Sequence, residues 1–235
     1  MASFRVLILV LASDTEPFYC KLQSLWRTVR HPRADIMMLK AHPDLRGDDF
    51  IYENTIYVGC PETLNTVYEK QMRGFRVLRP LLSQYAFVFR TNLSSYVDIP
   101  AYLEYCETLP RTAVYRGVIG KHKEKEFASG AGYTITPDLI ERLVQENPPE
   151  VLLDDVSVGC AITGWGIPVV AASREDYTPT GWVRHVSQDT TPLFHRRVRS
   201  DDRTDDLRVL TLLFENSKPI VVDKPLTKRP LLFLR

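Results

Sequence analysis

Four short segments carry residue types that could do chemistry, and each has a plainer structural role beside it. Arg90-Thr91-Asn92-Leu93-Ser94-Ser95 ends the apolar strand expected over Tyr85–Arg90. Polar side chains at that point would face a ligand at the sheet edge, or else cap the next helix. Phe127-Ala128-Ser129-Gly130-Ala131-Gly132-Tyr133 is rich in small residues, which let a backbone approach a ligand or a neighbouring strand closely. It lacks the GxGxxG spacing of a dinucleotide fingerprint. Asp154-Asp155-Val156-Ser157-Val158-Gly159 begins a helix. Two adjacent carboxylates cannot point the same way there, so at most one enters a cleft. A carboxylate so placed can take a proton from a hydroxyl nucleophile. Both acids could instead simply complement the helix dipole. In the late strand, His195-Arg196-Arg197-Val198-Arg199, alternation sets His195, Arg197 and Arg199 on one face. Such a face can hold a phosphate, and neutral His can ligate a metal. The structural alternative is an edge strand protected by charge.

The elements that must position these segments follow from the hydrophobic pattern. Strands are expected at Arg5–Ala12, Asp35–Ala41, Thr55–Gly59 and Tyr85–Arg90, the first and last as continuous apolar runs buried on both faces. Helices are expected between them, at Glu16–Arg30 and Glu62–Leu82. This alternation predicts right-handed βαβ units and a mostly parallel sheet. Further along, Ile99–Leu109, Pro137–Glu146, Asp154–Thr163 and Arg203–Glu215 read as helices. Ala113–Gly117, Gly132–Ile135 and Leu193–Arg199 read as strands, and the last twenty residues as an extended basic tail. Ligands of open α/β sheets gather at the carboxyl ends of the strands. The loops in question are Ser13–Glu16, Gly59–Glu62 and Thr91–Asp98.

Composition narrows the classes. The chain has 235 residues, 44% hydrophobic, with 30 basic and 29 acidic side chains and a net charge of +1. Such balance argues against a nucleic-acid binder. The apolar content argues against disorder. The longest early apolar run, Val6–Ala12, is far short of the ~20 residues that span a bilayer, so no transmembrane segment is expected. Cys20, Cys60, Cys106 and Cys160 are widely spaced and form no CxxC pair. They read as reduced thiols of a cytoplasmic protein rather than a zinc site or disulfide framework.

Taken in order, the segments resemble glycosyltransferase family 31, the Fringe and β-galactosyltransferase group. The resemblance runs from about Thr55 to Ala161. It rests on Glu62-Thr63-Leu64-Asn65-Thr66-Val67-Tyr68-Glu69-Lys70 and on Phe87-Val88-Phe89-Arg90-Thr91-Asn92-Leu93-Ser94-Ser95-Tyr96. Ser129-Gly130-Ala131-Gly132-Tyr133-Thr134-Ile135-Thr136 and Asp154-Asp155-Val156-Ser157-Val158-Gly159 complete it. A short soluble subfamily of the kind found in large viruses is similar in carrying R-T-N-L-S-S.

The resemblance implies one α/β domain of GT-A (Rossmann-like) type with a mostly parallel central sheet flanked by helices. Residues 1–110 would be its nucleotide-sugar half, 111–200 its acceptor half, and 201–235 a closing helix and tail. It implies inverting transfer of a sugar from a nucleotide diphosphate sugar, expected to be UDP-linked, to a glycan or glycoprotein acceptor, with Asp155 as general base. Ser13, Asp14, Arg90, Thr91, Asn92, Ser94 and Arg197 would hold the donor. Asp154, Gly130, Gly132, Tyr133 and Trp165 would line the acceptor side, where either ring could stack on a sugar or pack in the core. The family binds a divalent metal, commonly manganese, through an aspartate triplet. Here that triplet reads Asn92-Leu93-Ser94. Its oxygens are neutral and much poorer ligands for a hard cation. His195 and Ser94 are the metal candidates, with Arg197, Arg199 and Lys121 as cationic replacements. The same departure leaves open a non-catalytic nucleotide- or sugar-binding module on this fold.

Overall fold

The computed structural model describes residues 4–45, 48–185 and 193–216. The apolar run VLILVL forms β1 (Val6–Leu11), with every residue buried. Only a strand covered on both faces can satisfy such a run. Pro17 opens α1 (Pro17–Trp26), since its missing N–H is one that a first helical turn leaves unused anyway. The chain returns as β2 (Ala34–Ala41), then makes the short β3 (Phe50–Tyr52) and β4 (Thr55–Val58).

The helix expected over Glu62–Leu82 is three pieces. A capping box between Thr63 and Thr66 sets off a 3₁₀ turn before α2 (Val67–Leu78). Pro80 cannot donate to an α-helical ladder, so the chain leaves α2 through a second 3₁₀ turn at Arg79–Gln84. Next come β5 (Phe87–Asn92), β6 (Ser95–Val97) and α3 (Ile99–Glu107), whose first turn is capped by the Asp98 carboxylate accepting from the Ala101 amide. The hairpin β7 (Tyr115–His122) and β8 (Lys125–Ile135) follows, then α4 (Pro137–Glu146), which stops at Asn147 in the left-handed region, and α5 (Asp154–Gly164). The chain continues through β9 (Val170–Ala171), β10 (Arg174–Thr178), β11 (Gly181–His185), β12 (His195–Val198) and α6 (Arg203–Asn216).

The main sheet has the order β3-β4-β2-β1-β5-β8-β7-β9. Strands β4, β2, β1 and β5 are mutually parallel, while β8 runs antiparallel to both β5 and β7. The expected α/β class with a large, mostly parallel central sheet is the one found. Each face of the sheet has its own core. Ile8, Val10 and Phe89 pack with Trp26, Tyr102, Phe194 and Phe214 on one side. Leu9, Val88 and Tyr133 pack with Met72, Phe75, Leu143 and Ile162 on the other. Fully burying one such apolar side chain contributes about 1.5–3 kcal/mol.

A second sheet, β11-β10-β12-β6, was not expected. The loop read as Thr91–Asp98 contains its strand β6, because β5 ends at Asn92 and the chain turns straight into a new pairing with β12. Strands β10 and β11 were missed because their residues are mostly half-exposed and polar, without apolar alternation. Pro179-Thr180 joins them, and Gly181 carries the positive φ of +106° that the tight turn needs. The small-residue stretch Phe127–Tyr133 is strand interior, within β8. The expected tail falls outside the described residues, as does part of the loop before β12. No helix among the described residues is long and apolar enough to cross a membrane.

Candidate active site

Strand β1 connects through α1, on one face, to β2. Strand β4 connects through α2, on the opposite face, to β5. The order therefore reverses between β1 and β5, and open α/β sheets take their ligands in the crevice outside the carboxyl ends of the strands at such a point. One rim is the loop after β1. There the Ser13 and Thr15 hydroxyls are hydrogen bonded at 2.9 Å, and Asp14 accepts from Lys40 Nζ (2.8 and 2.9 Å) and Gln23 Nε2 (2.8 Å). Burial opposes the ionised form of Asp14, yet the Lys40 and Gln23 hydrogen bonds hold its carboxyl below the usual range. The other rim is the Leu93–Ser94 turn between β5 and β6. Beneath them lies buried Lys70, which donates to the Ala12 carbonyl (2.6 Å) and to both oxygens of Glu62 (2.7 Å). Burial lowers the Lys70 pKa and Glu62 opposes that shift.

Arg90 and Thr91 were expected to meet a donor, and the structure places both inside the protein. Arg90 points to the α2–α5 side of the sheet. Its guanidinium donates to Gln71 Oε1 (2.8 Å), to the Gly130 carbonyl and to the Asp154 carboxylate. Thr91 Oγ1 donates to the Ala131 carbonyl at 2.7 Å. Asp154, expected on the acceptor side, is likewise buried, and burial pushes its carboxyl up against the opposing Arg90 charge. Together they form a strut tying β5, β8 and α5.

Asp155 differs from its neighbour. It is half-buried, and its Oδ2 accepts from the Gly130 amide at 2.7 Å. A Cβ on Gly130 would stand 3.0 Å from that oxygen and from Arg90 Nη1, a tight contact that these side chains would have to yield a few tenths of an ångström to admit. The antiparallel register of β8 with β5, Thr91 opposite Gly132, puts Ser129 and Gly130 just past the carboxyl end of β5. Asp155 therefore lies near the carboxyl end of β5, while Asp154 is buried behind it.

Two expected acceptor groups do not reach this place. The Tyr133 ring is fully buried, and its hydroxyl accepts from Gln71 Nε2 at 3.0 Å, so it packs the core and cannot stack on a sugar. Trp165 follows the far end of α5, about 15 Å along the axis from Asp155. It donates to Glu146 (2.7 Å) under the Arg142 guanidinium. Lys121 is likewise remote, 3.8 Å from Glu124 at the β7–β8 hairpin tip.

The second sheet sets His195 of β12 beside β6 and against Gly132 of β8. His195 is buried, with Nε2 3.3 Å from Ser95 Oγ. A Cβ on Gly132 would overlap His195 Cε1 and come within 2.7 Å of Phe89 Cζ, so only glycine fits there. Burial, reinforced by the Arg174 and Arg197 charges, holds the His195 pKa well below its ordinary value. The imidazole is neutral in the fold and charged in the unfolded chain below a pH of about 6.5. Its contribution is therefore complete above that pH and is lost as pH falls towards the folded value. Urea unfolding of the native chain should lose up to about 1.4 kcal/mol per pH unit more than His195→Gln between pH 6.5 and 5. Parallel pH curves for the two proteins would contradict the assignment.

A divalent cation does not fit the expected ligands. Asn92 Oδ1 already accepts from the Ser94 amide (3.0 Å) and from Ser95 Oγ (3.4 Å), and Ser94 Oγ accepts from Arg203 Nη2 (3.2 Å). His195 faces two guanidiniums rather than carboxylates. Among the described residues, no three His, Cys, Asp or Glu side chains gather to hold a metal ion. Manganese at His195 and Ser94 is thus disfavoured by the donor chemistry. What gathers instead is positive charge around one carboxylate. Arg174 donates to Asp176 through Nε (2.5 Å) and Nη2 (2.9 Å), and through Nη1 to Ser129 Oγ (3.1 Å). Arg197 Nη1 lies 3.7 Å and His185 Nε2 3.2 Å from Asp176. Arg174, Asp176, His185 and Arg203 escaped sequence reasoning because they lie outside any recognisable block.

No protein-family model matches the chain, and no curated protein matches it. Among solved structures, 4-diphosphocytidyl-2C-methyl-D-erythritol synthase from Anaerococcus prevotii is similar at 14% identity and a TM-score of 0.45, over 72% of this chain and 87% of that one. A likeness that slight carries no argument about this chain's chemistry.

Proposed function

We propose that the chain is an inverting glycosyltransferase acting on a nucleotide diphosphate sugar. The observation that carries this reading is Asp155, a half-buried carboxylate fixed by the Gly130 amide beside the crevice at the β1–β5 switch. In this reading the donor lies across the carboxyl edge, its base against Ser13 and Asp14 and its diphosphate toward the Asn92–Ser95 turn. Asp155 takes the proton of an acceptor hydroxyl as that oxygen attacks the anomeric carbon. The new C–O bond forms on the face opposite the breaking bond to the diphosphate, which departs as the nucleoside diphosphate. Ser129 and Gly130 border the acceptor.

One observation favours a second reading. The turn that resembles a metal-binding triplet has no carboxylate and spends its oxygens on its own hydrogen bonds, as in a non-catalytic nucleotide- or sugar-binding module. Incubation with UDP- and GDP-sugars and a panel of glycan acceptors separates the two. Sustained acceptor-dependent release of nucleoside diphosphate is the expected result. Donor binding without release from any sugar would overturn the transferase reading and leave the module.

A further inference from the structure

The donor's diphosphate needs compensating charge, and the residues at the Asn92–Ser94 turn are not built for a metal. Two guanidiniums flank that turn. On one side, Arg197 of β12 pairs in register with Ser95 of β6, the residue directly after the turn. On the other, Arg203 Nη2 reaches Ser94 Oγ, and its guanidinium lies 4.2 Å from the centroid of the Phe18 ring, which α1 sets just behind the loop after β1. Arg203 thus spans both rims of the crevice, although Asp206 takes its Nη1 at 2.5 Å.

Arg197 is the freer cation. Arg174 is held on three sides by Asp176 and Ser129, whereas Arg197 reaches Asp176 only through the long 3.7 Å ion pair among the described residues. That leaves most of a planar five-donor fork unspent, in a geometry that suits two phosphate oxygens. Its side chain is 30% exposed, so part of the guanidinium arm meets solvent. Burial and the like charges of Arg174 and Arg199 disfavour the Arg197 cation more than Asp176 supports it. An arriving anion would relieve that imbalance.

We propose that Arg197, backed by the Arg174–Asp176 pair, binds the diphosphate of a nucleoside diphosphate directly, in place of a divalent cation. The proposal rests on the transferase reading for its ligand, but it can be tested apart from it. UDP and inorganic pyrophosphate are titrated calorimetrically into the native chain in EDTA, then with manganese. The series is repeated with Arg197→Gln and Arg197→Lys. Both ligands should bind the native chain in EDTA, more weakly as salt rises. Arg197→Gln should weaken both about 10- to 100-fold, the loss of a charge-assisted contact. Arg197→Lys, which keeps the charge but not the fork, should fall between.

Binding that appears only with manganese would overturn the proposal. So would UDP binding without pyrophosphate binding, or unchanged affinity in Arg197→Gln. The native-chain comparison of EDTA with manganese decides even if a variant folds poorly. Failure of the two readings is distinguishable. Pyrophosphate binding in EDTA without turnover of any sugar donor keeps the cation site and removes the transferase. Turnover that is strictly manganese-dependent does the reverse.

Discussion

Under the proposed transferase reading, Asp155→Asn is expected to cut glycosyl transfer about 10²- to 10⁴-fold while leaving UDP affinity within a factor of two or three. That range is what a positioned general base contributes. The variant is a clean probe because an Asn side-chain oxygen can still accept from the Gly130 amide, as Asp155 Oδ2 does at 2.7 Å. The approach of β8 to α5 therefore survives; besides the ability to take a proton, the variant loses only the acceptor that the Val156 amide meets at Asp155 Oδ1 (2.9 Å). Initial rates with saturating donor and acceptor, beside a calorimetric UDP titration, check both halves of the expectation. An Asp155→Asn enzyme with native rates would remove Asp155 from the chemistry. If Asp154→Asn instead lost activity at native stability, the roles of the two carboxylates would have to be exchanged.

Arg90→Met should destabilise the fold by about 3–5 kcal/mol, the cost of stranding a buried charge without its partner. Asp154 is deeply buried and meets the Arg90 guanidinium across β5 and α5. Methionine replaces the bulk of the arginine stem but none of its donors to Gln71, Gly130 and Asp154. Adding Asp154→Leu should recover much of the loss, since a buried ion pair replaced as a unit by apolar groups is often close to neutral. Urea denaturation of the two single variants and the double variant gives the coupling directly. Additive losses would show that Arg90 and Asp154 do not act as a pair. The result also separates the two members of the Asp154–Asp155 dipeptide, one a strut and the other at the crevice.

The main sheet was legible because its central strands are extreme. VLILVL and YAFVFR admit few readings other than strands covered on both faces, and Pro17 and Pro137 mark helix starts for steric reasons. The second sheet was not legible. Its strands REDYT and GWVRH are half-exposed, so burial imposes no alternation on them. Its pairing partners, β6 and β12, lie some ninety residues or more apart in sequence. The candidate site divides along the same line. Asp155 stood out because a double acid opens a helix. Arg90 and Thr91 were misjudged because a polar residue ending a strand can point to a ligand or to a buried ion pair, and only the neighbouring strand decides which. Arg197 stood out by alternation in its strand, but its meeting with Arg174 and Asp176 depends on β10–β12 register and has no local signature.

The two cores on opposite faces of the sheet are completed at different points along the chain, with consequences for a chain still being made. Every residue of the core that includes Phe75, Leu143 and Ile162 precedes residue 170. The core on the other face also needs Phe194, Val198, Leu210 and Phe214. Phe214 packs against Trp26 and Tyr96 at ring-centroid separations of 5.3 Å. A nascent chain can therefore close one side of the sheet while Val6, Ile8, Val10 and Phe87 on the other still lack part of their cover. Contacts that span so much sequence are slow to form. For that interval the half-finished sheet presents a broad apolar surface, the kind of intermediate that aggregates or engages chaperones.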